Sequence, residues 1–215
     1  MSESMMINRI NNRDFNDEVE KIVVRLHGQK EKDGAKIFLI NGIGIKSGAT
    51  TVAENIAASL AKTEWKTIYV DCDLRKKNQD EENSKNDIVI RKTDIDNLDY
   101  VRVGDNSGNA IKTLCSSRMK EFLNDLKEKY DYILIDSTSL TISNDVEIIL
   151  PYVDKYILVV AQNKTKKKEF TLARIQLANF EDKYMGVIVN NIEKLKIGKL
   201  CLKKNKKNAG KKKGK

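Results

Sequence analysis

The sequence predicts an α/β domain of the doubly wound kind, with a mostly parallel sheet and helices on both faces. Short continuous apolar runs such as "KIFLI" and "YDYILID" recur along the chain, as in strands buried on both sides. Helical patterns separate these runs, which implies crossover units and parallel pairing. A glycine-bearing turn, "INGIGIKSGATTVAENIA" (residues 40–57), joins the first run to a helix. Ligands of such sheets bind at the carboxyl ends of the strands.

The elements follow in order. "DFNDEVEKIVVRLH" (14–27) puts Phe15, Val19, Ile22, Val23 and Leu26 on one helical stripe, and Gly28 is expected to end it, with His27 as a partner of the helix C-terminus. "KIFLI" is the first strand, and the helix from Thr50 to about Lys62 comes next. "KTIYVDCD", "NLDYVRV", "YDYILID", "KYILVVAQ" and "YMGVIVNN" are five more strands. "SSRMKEFLNDLKEKY", "SNDVEIIL" and "KKKEFTLARIQLANFE" are the helices between the later ones. The polar stretch from about Lys76 to Asp96 reads as a loop with a short edge element at "DIVI".

Composition narrows the class. At 215 residues the chain suits one domain: a flexible lead over 1–13, the domain over 14–202 and a lysine-rich tail over 203–215. Cys72, Cys115 and Cys201 make neither a disulfide framework nor a metal-ligand spacing, so a reducing compartment is expected. Cys72 reads as a small buried strand residue rather than a reactive thiol. No run is long enough to span a bilayer, and the polar start lacks the apolar core of a signal peptide. Of the net charge of +9, eight units are the lysines of "KKNKKNAGKKKGK", which leaves the rest nearly neutral. A basic nucleic-acid face is therefore not expected, and attraction to polyanions is confined to the tail.

The chemistry collects at three strand ends. A phosphate-binding loop reads G-x-x-x-x-G-K-(S/T), in which backbone N–H groups and a helix N-terminus cradle phosphate while the lysine neutralises it. Here "GATT" puts Ala49 in the lysine's place after Gly48. The second strand ends in Asp71 and Asp73, and the fourth, "YDYILIDSTS", in Asp136. Carboxylates beside such a loop suit a magnesium-bound nucleotide, because Mg²⁺ takes few protein ligands and the rest from water and phosphate.

These motifs, in this order, resemble the cytoplasmic bacterial tyrosine kinases (BY-kinases) of capsule and exopolysaccharide systems, the CpsD/CapB type within the MinD/ParA-like P-loop ATPases. "GATTVAENIA" stands where that family reads G-K-S-T-T-x-x-N-L-A, and "VDCDLRKK" where it reads I-D-x-D-L-R-(R/K)-P. "LCSSRMKEFLNDLKEKYDYILIDSTS" matches its "LLSSxRMxELLxxLxxxYDYVIIDTPP", and "VDKYILVVAQNKTKKKE" and "YMGVIVNNIE" match later family segments. The resemblance runs from about residue 18 to 192 and implies ATP and Mg²⁺ as ligands. It implies phosphate binding by Gly48, Ala49, Thr50 and Thr51, with Asn190 near the base. Thr50, Asp71 and Asp136 are implied as the metal set, and Asp71, Asp73 and Asp136 as the catalytic acids. Glu18 and Lys21 fall at the family's ring-forming helix, which implies a homo-oligomer.

The departures matter as much. Ala49 replaces the loop lysine, while Ile43, Ile45, Lys46 and Ser47 replace the family's small residue, proline, glycine and acid. Val24 replaces the second arginine of the ring motif, and the lysine-rich tail has no tyrosine where the family carries an autophosphorylated cluster. Two readings of the loop stay open: nucleotide binding with weakened or lost catalysis, and a turn kept because the fold needs it. Lys46 lies in the same loop and is a candidate replacement for the missing lysine. The three acids are either an inherited Mg²⁺ site or strand-end acids that cap adjacent helices or face solvent. The expected function is a degenerate kinase-like regulator of capsule or exopolysaccharide assembly and export, peripheral at the inner face of the cell membrane. Its partner would be a membrane-anchored Wzz/CpsC/CapA-like co-polymerase, and its tail would meet anionic lipid. The alternative is a ParA/MinD-like positioning ATPase that binds DNA or membrane through the tail.

Overall fold

In the computed structural model, which describes residues 5–7, 9–74, 88–103 and 110–191, seven strands form one sheet. They are β1 (Ile37–Gly42), β2 (Thr67–Cys72), β3 (Ile90–Lys92), β4 (Leu98–Arg102), β5 (Tyr132–Ser137), β6 (Lys155–Ala161) and β7 (Tyr184–Asn190). Their order is β3-β4-β2-β5-β1-β6-β7, and every pairing is parallel except β3 with β4. The short antiparallel edge is the element expected near "DIVI", displaced towards Ile90–Lys92. The expected lysine-rich tail, Cys201 and most of the polar loop after Leu74 lie outside the described residues.

The α-helices among the described residues are α1 (Arg13–Asp33), α2 (Ala49–Lys62), α3 (Ala110–Leu114), α4 (Ser117–Lys129), α5 (Asp145–Ile149) and α6 (Lys167–Gln176). Strands β1, β2 and β5 are buried along their whole length, as their unbroken apolar runs require. Alternate residues of β1 serve the two faces. Phe38 and Ile40 pack under α1 and α2 with Val19, Leu26, Val52 and Ile56. Ile37 and Leu39 pack on the other face with Met119, Leu123 and Leu126 of α4, Ile149 of α5 and Ala173 of α6.

Helix α1 departs from expectation. It does not stop at Gly28 but continues to Asp33, where Gly34 takes the left-handed conformation (φ 75°) and donates its N–H to the Lys30 carbonyl. The extra turns are held by tertiary contact, since Lys30 Nζ lies 4.5 Å from the centre of the Trp65 ring and 4.6 Å from that of Tyr132. His27 is therefore interior to the helix and is no terminal dipole partner. Its Nδ1 lies 3.0 Å from the Tyr132 hydroxyl, whose pKa burial and the Asp131 carboxylate push up to about 12.

Two further departures are local. Helix α3 was not legible, and "SNDVEIIL" gives only the five-residue α5 followed by a 3-10 turn over Leu150–Tyr152. The lead expected to be flexible is instead docked in its described part. Met5 bridges to Thr93, Ile7 is buried, and Ile10 N–H donates to Asn55 Oδ1 at 3.0 Å.

Candidate functional site

The strand order brings the site residues together. β1 leads through α2 to β2 on one side of the sheet, while β5 leads to β6 on the other, so the chain reverses direction between β1 and β5. That reversal opens a crevice at the carboxyl ends of the strands. A cavity of about 310 Å³ fills it, lined by the loop after β1, the start of α2 and the loop after β5, with Asp73 reaching in beyond β2.

The loop after β1 is tied down from both sides. Ile43 N–H donates to the Val159 carbonyl at 3.1 Å. Leu140 and Thr141 N–H, from the loop after β5, donate to the carbonyls of Gly42 and Ile43 at 3.0 and 3.1 Å. Ile43 is fully buried, which explains why an aliphatic residue occupies this position. Gly42 has no room for a side chain, since a Cβ there would lie 2.1 Å from Ser47 Oγ.

Gly48 caps α2 at φ 84°, and a Cβ there would lie 2.1 Å from Asn190 Nδ2. Asn190, at the end of β7, uses that amide to donate to the Ser47 carbonyl at 3.0 Å. The expected base-side asparagine thus braces the loop itself. Ala49 opens the helix and is buried against the cavity wall. Thr51 is not among the residues lining the cavity, and its carbonyl accepts Asn55 Nδ2 at 2.7 Å.

Thr50 and Asp136 meet directly: Thr50 Oγ1 donates to Asp136 Oδ2 at 2.6 Å. The same oxygen accepts the Tyr69 hydroxyl at 3.1 Å. Burial, then the charges of Asp136 and Asp71, push the Tyr69 hydroxyl well above its ordinary pKa, so it remains a donor. Tyr69 was not singled out in the sequence. Its spacing of two from Asp71 places both on one face of β2, which is the signal that could have found it.

The remaining acids divide. Asp71 is level with Asp136 in the sheet register, is buried, and accepts the Asp73 N–H at 2.9 Å, but it does not line the cavity. Asp73 does line it and accepts the Thr138 hydroxyl at 2.8 Å. Cys72 between them is fully buried, and burial followed by the charges of Asp71 and Asp136 pushes its thiol pKa well up, which makes it inert. No cluster of three or more His, Cys, Asp or Glu among the described residues is arranged to hold a metal.

Three residues outside the expected set shape the mouth. Ser139 Oγ is buried without a hydrogen-bond partner among the described residues, and its residue lines the cavity. Ile45 and Ile142, 68% and 47% exposed, flank the opening from the two loops. Lys46, also exposed, has a φ of 59°, a left-handed conformation that costs a residue other than glycine roughly 1–2 kcal/mol. Glu18 and Lys21 lie elsewhere, on the outer surface of α1, where they pair with each other at 2.6 Å beside the exposed Val24.

The chain is 27% identical over 181 residues to the tyrosine-protein kinase CpsD of Streptococcus pneumoniae, covering 77% of this chain and 80% of that one. This chain is similar to the bacterial tyrosine kinases. The kinase domain of the Escherichia coli tyrosine kinase ETK shares the fold with a TM-score of 0.74 and 21% identity, over 87% of this chain and 84% of that one. The cell-division ATPase MinD of Pyrococcus furiosus shares it more distantly, with a TM-score of 0.56 and 20% identity, over 72% and 71%. No protein-family model matches the chain. The fold is thus the one shared by the ETK kinase domain and MinD, and no helix among the described residues is long and apolar enough to cross a membrane.

Proposed function

We propose that this chain is a nucleotide-binding, tyrosine-kinase-like regulator of capsule or exopolysaccharide assembly that acts by association and whose phosphoryl transfer is crippled. The observation that carries the nucleotide reading is the Thr50–Asp136 pair at the mouth of α2. A hydroxyl on the first turn of a fourteen-residue helix, bonded to a buried carboxylate on the neighbouring strand, suits a magnesium-bound polyphosphate.

The residues present fit that ligand. Gly48 lets Asn190 pack directly against the loop, whose backbone is fixed by Asn190, Leu140 and Thr141. Ser139 Oγ is an additional hydroxyl donor at the same cavity. Thr50 and Asp136 would hold the metal, with Asp71 behind them, and the N–H groups at the start of α2 would meet phosphate oxygens. Bound Mg²⁺ would supply charge neutralisation of the phosphates. Tyr69 holds the Asp136 carboxylate in orientation, while Thr138 does the same for Asp73, the acid that lines the cavity.

Catalysis is a different matter. Ala49 cannot supply the preorganised charge that the loop lysine gives, and loss of one such stabiliser typically lowers turnover by ~10²- to 10³-fold. No tyrosine occurs after residue 184, so the lysine-rich segment offers no acceptor of the kind carried by the kinase family. Signalling through occupancy and partner contact is left. A membrane-anchored co-polymerase is the partner we propose, with α1 packing copies of the chain through Glu18 and Lys21 and with residues 203–215 held at anionic lipid, each lysine there contributing at most ~1 kcal/mol.

Calorimetric titration of ATP into the purified chain, with and without Mg²⁺, tests the reading. Magnesium-dependent binding supports it, and absence of binding overturns it. Salt-dependent DNA binding by residues 1–202 would instead favour a MinD- or ParA-like positioning role.

A further inference from the structure

We infer that Lys46 supplies the phosphate-neutralising charge that Ala49 cannot, reaching the polyphosphate from the loop instead of from the helix. This rests on reading the cavity as a nucleotide site. Among the described residues lining that cavity, Lys46 is the one cation, set against the carboxylates of Asp73 and Asp136. A polyphosphate placed there would add its own negative charge to theirs, and the helix N-terminus offers only about half a unit in return. A full positive charge is needed, and the described lining residues offer one source for it.

The state of Lys46 agrees with that role. It forms no hydrogen bond or ion pair with any described residue. Its left-handed backbone (φ 59°) is one that glycine adopts without strain, yet a lysine stands there. The long flexible stem of lysine lets its ammonium swing inward from an exposed Cα. Ile45 and Ile142 wall the opening with apolar surface, which lowers the local dielectric and strengthens the charge once a phosphate is seated. Ser139 Oγ, buried at the same cavity and without a partner among the described residues, adds a donor for the same anion.

The consequence separates binding from turnover. A lysine whose long side chain is held by no partner among the described residues attracts phosphate equally in ground and transition states, which tightens binding without lowering the barrier. Lys46 thereby makes nucleotide occupancy compatible with slow transfer.

The test titrates MgATP, magnesium tripolyphosphate and adenosine into the full chain and into Lys46→Gly, Lys46→Gln and Lys46→Arg. Glycine relieves the backbone strain, so Lys46→Gly should keep or raise the Tm. The expected result is a loss of ~10-fold or more in affinity for MgATP and tripolyphosphate in the glycine and glutamine variants, with adenosine unchanged and most affinity retained by arginine. Unchanged MgATP affinity in the two neutral variants, or an equal loss for adenosine, overturns the role of Lys46 while leaving the nucleotide reading intact. If the unaltered chain binds neither MgATP nor tripolyphosphate, both fail.

Discussion

Thr50 Oγ1 donates a 2.6 Å hydrogen bond to Asp136 Oδ2, joining the first turn of α2 to the end of β5. The Tyr69 hydroxyl bonds the same oxygen, so the carboxylate is aimed at the cavity by two donors on different elements. Asp136→Asn keeps the shape and removes the charge. The ratio of ATP affinities with and without Mg²⁺ should collapse towards one, chiefly because affinity with Mg²⁺ falls. A ratio equal to that of the unaltered chain in calorimetry would show that Asp136 takes no part in metal binding.

Ala49 sits where a phosphate loop carries its lysine, at the cavity wall and nearly buried. Ala49→Lys should raise MgATP affinity by about tenfold or more, equivalent to ~1.4 kcal/mol. Because Lys46 already provides charge, the gain in Lys46→Gly/Ala49→Lys over Lys46→Gly should exceed the gain from Ala49→Lys alone. Equal gains in titration would mean that the two lysines act independently.

Asp154 anchors the opposite end of the sheet. Its Oδ2 accepts the N–H groups of Lys36 and Ile37, both at 2.9 Å, and its Oδ1 accepts Lys127 Nζ at 2.8 Å. Burial pushes its pKa up, but Lys127 and the two N–H donors outweigh burial and hold it below the ordinary carboxylate value. Asp154→Asn should cost about 1–3 kcal/mol at neutral pH by chemical denaturation. A depressed native pKa stabilises fully above the unfolded value of ~3.9 and ceases to as pH falls through the native value. The gap between the two proteins should therefore close in acid, and a gap independent of pH would refute the charge-based account.

Two glycines, one inside α1 and one just past its end, should answer the same substitution with opposite signs. A Cβ at Gly28 or at Gly34 meets no atom within 4 Å, so only the backbone decides. Gly28 is helical and should gain roughly 0.5–1 kcal/mol as alanine, whereas Gly34 at φ 75° should lose about 1–2 kcal/mol. Thermal unfolding of both variants measures this, and destabilisation by Gly28→Ala would mean that the helix ends there after all.

What the sequence revealed divides along physical lines. The central strands were legible because burial on both faces demands unbroken apolar runs, and β1, β2 and β5 are such runs. The end of α1 was not, because Gly28 and Gly34 are alike in sequence and the choice between them is made by Lys30 against Trp65 and Tyr132. Asp73, Asp136 and Thr50 could be placed at the cavity from strand ends alone. Tyr69, Ser139 and the bracing role of Asn190 depend on strand register and on how two loops meet, which no local pattern encodes. The left-handed backbone of Lys46 is likewise a property of the closed turn.

The most direct test of the whole account measures, on one preparation of the chain, MgATP affinity and the rate of phosphoryl transfer to a tyrosine-rich peptide, with CpsD of Streptococcus pneumoniae assayed alongside. The account predicts magnesium-dependent ATP binding together with transfer at least ~10²-fold slower than that of CpsD. Transfer at a rate comparable to CpsD, or no binding of MgATP at all, would contradict it.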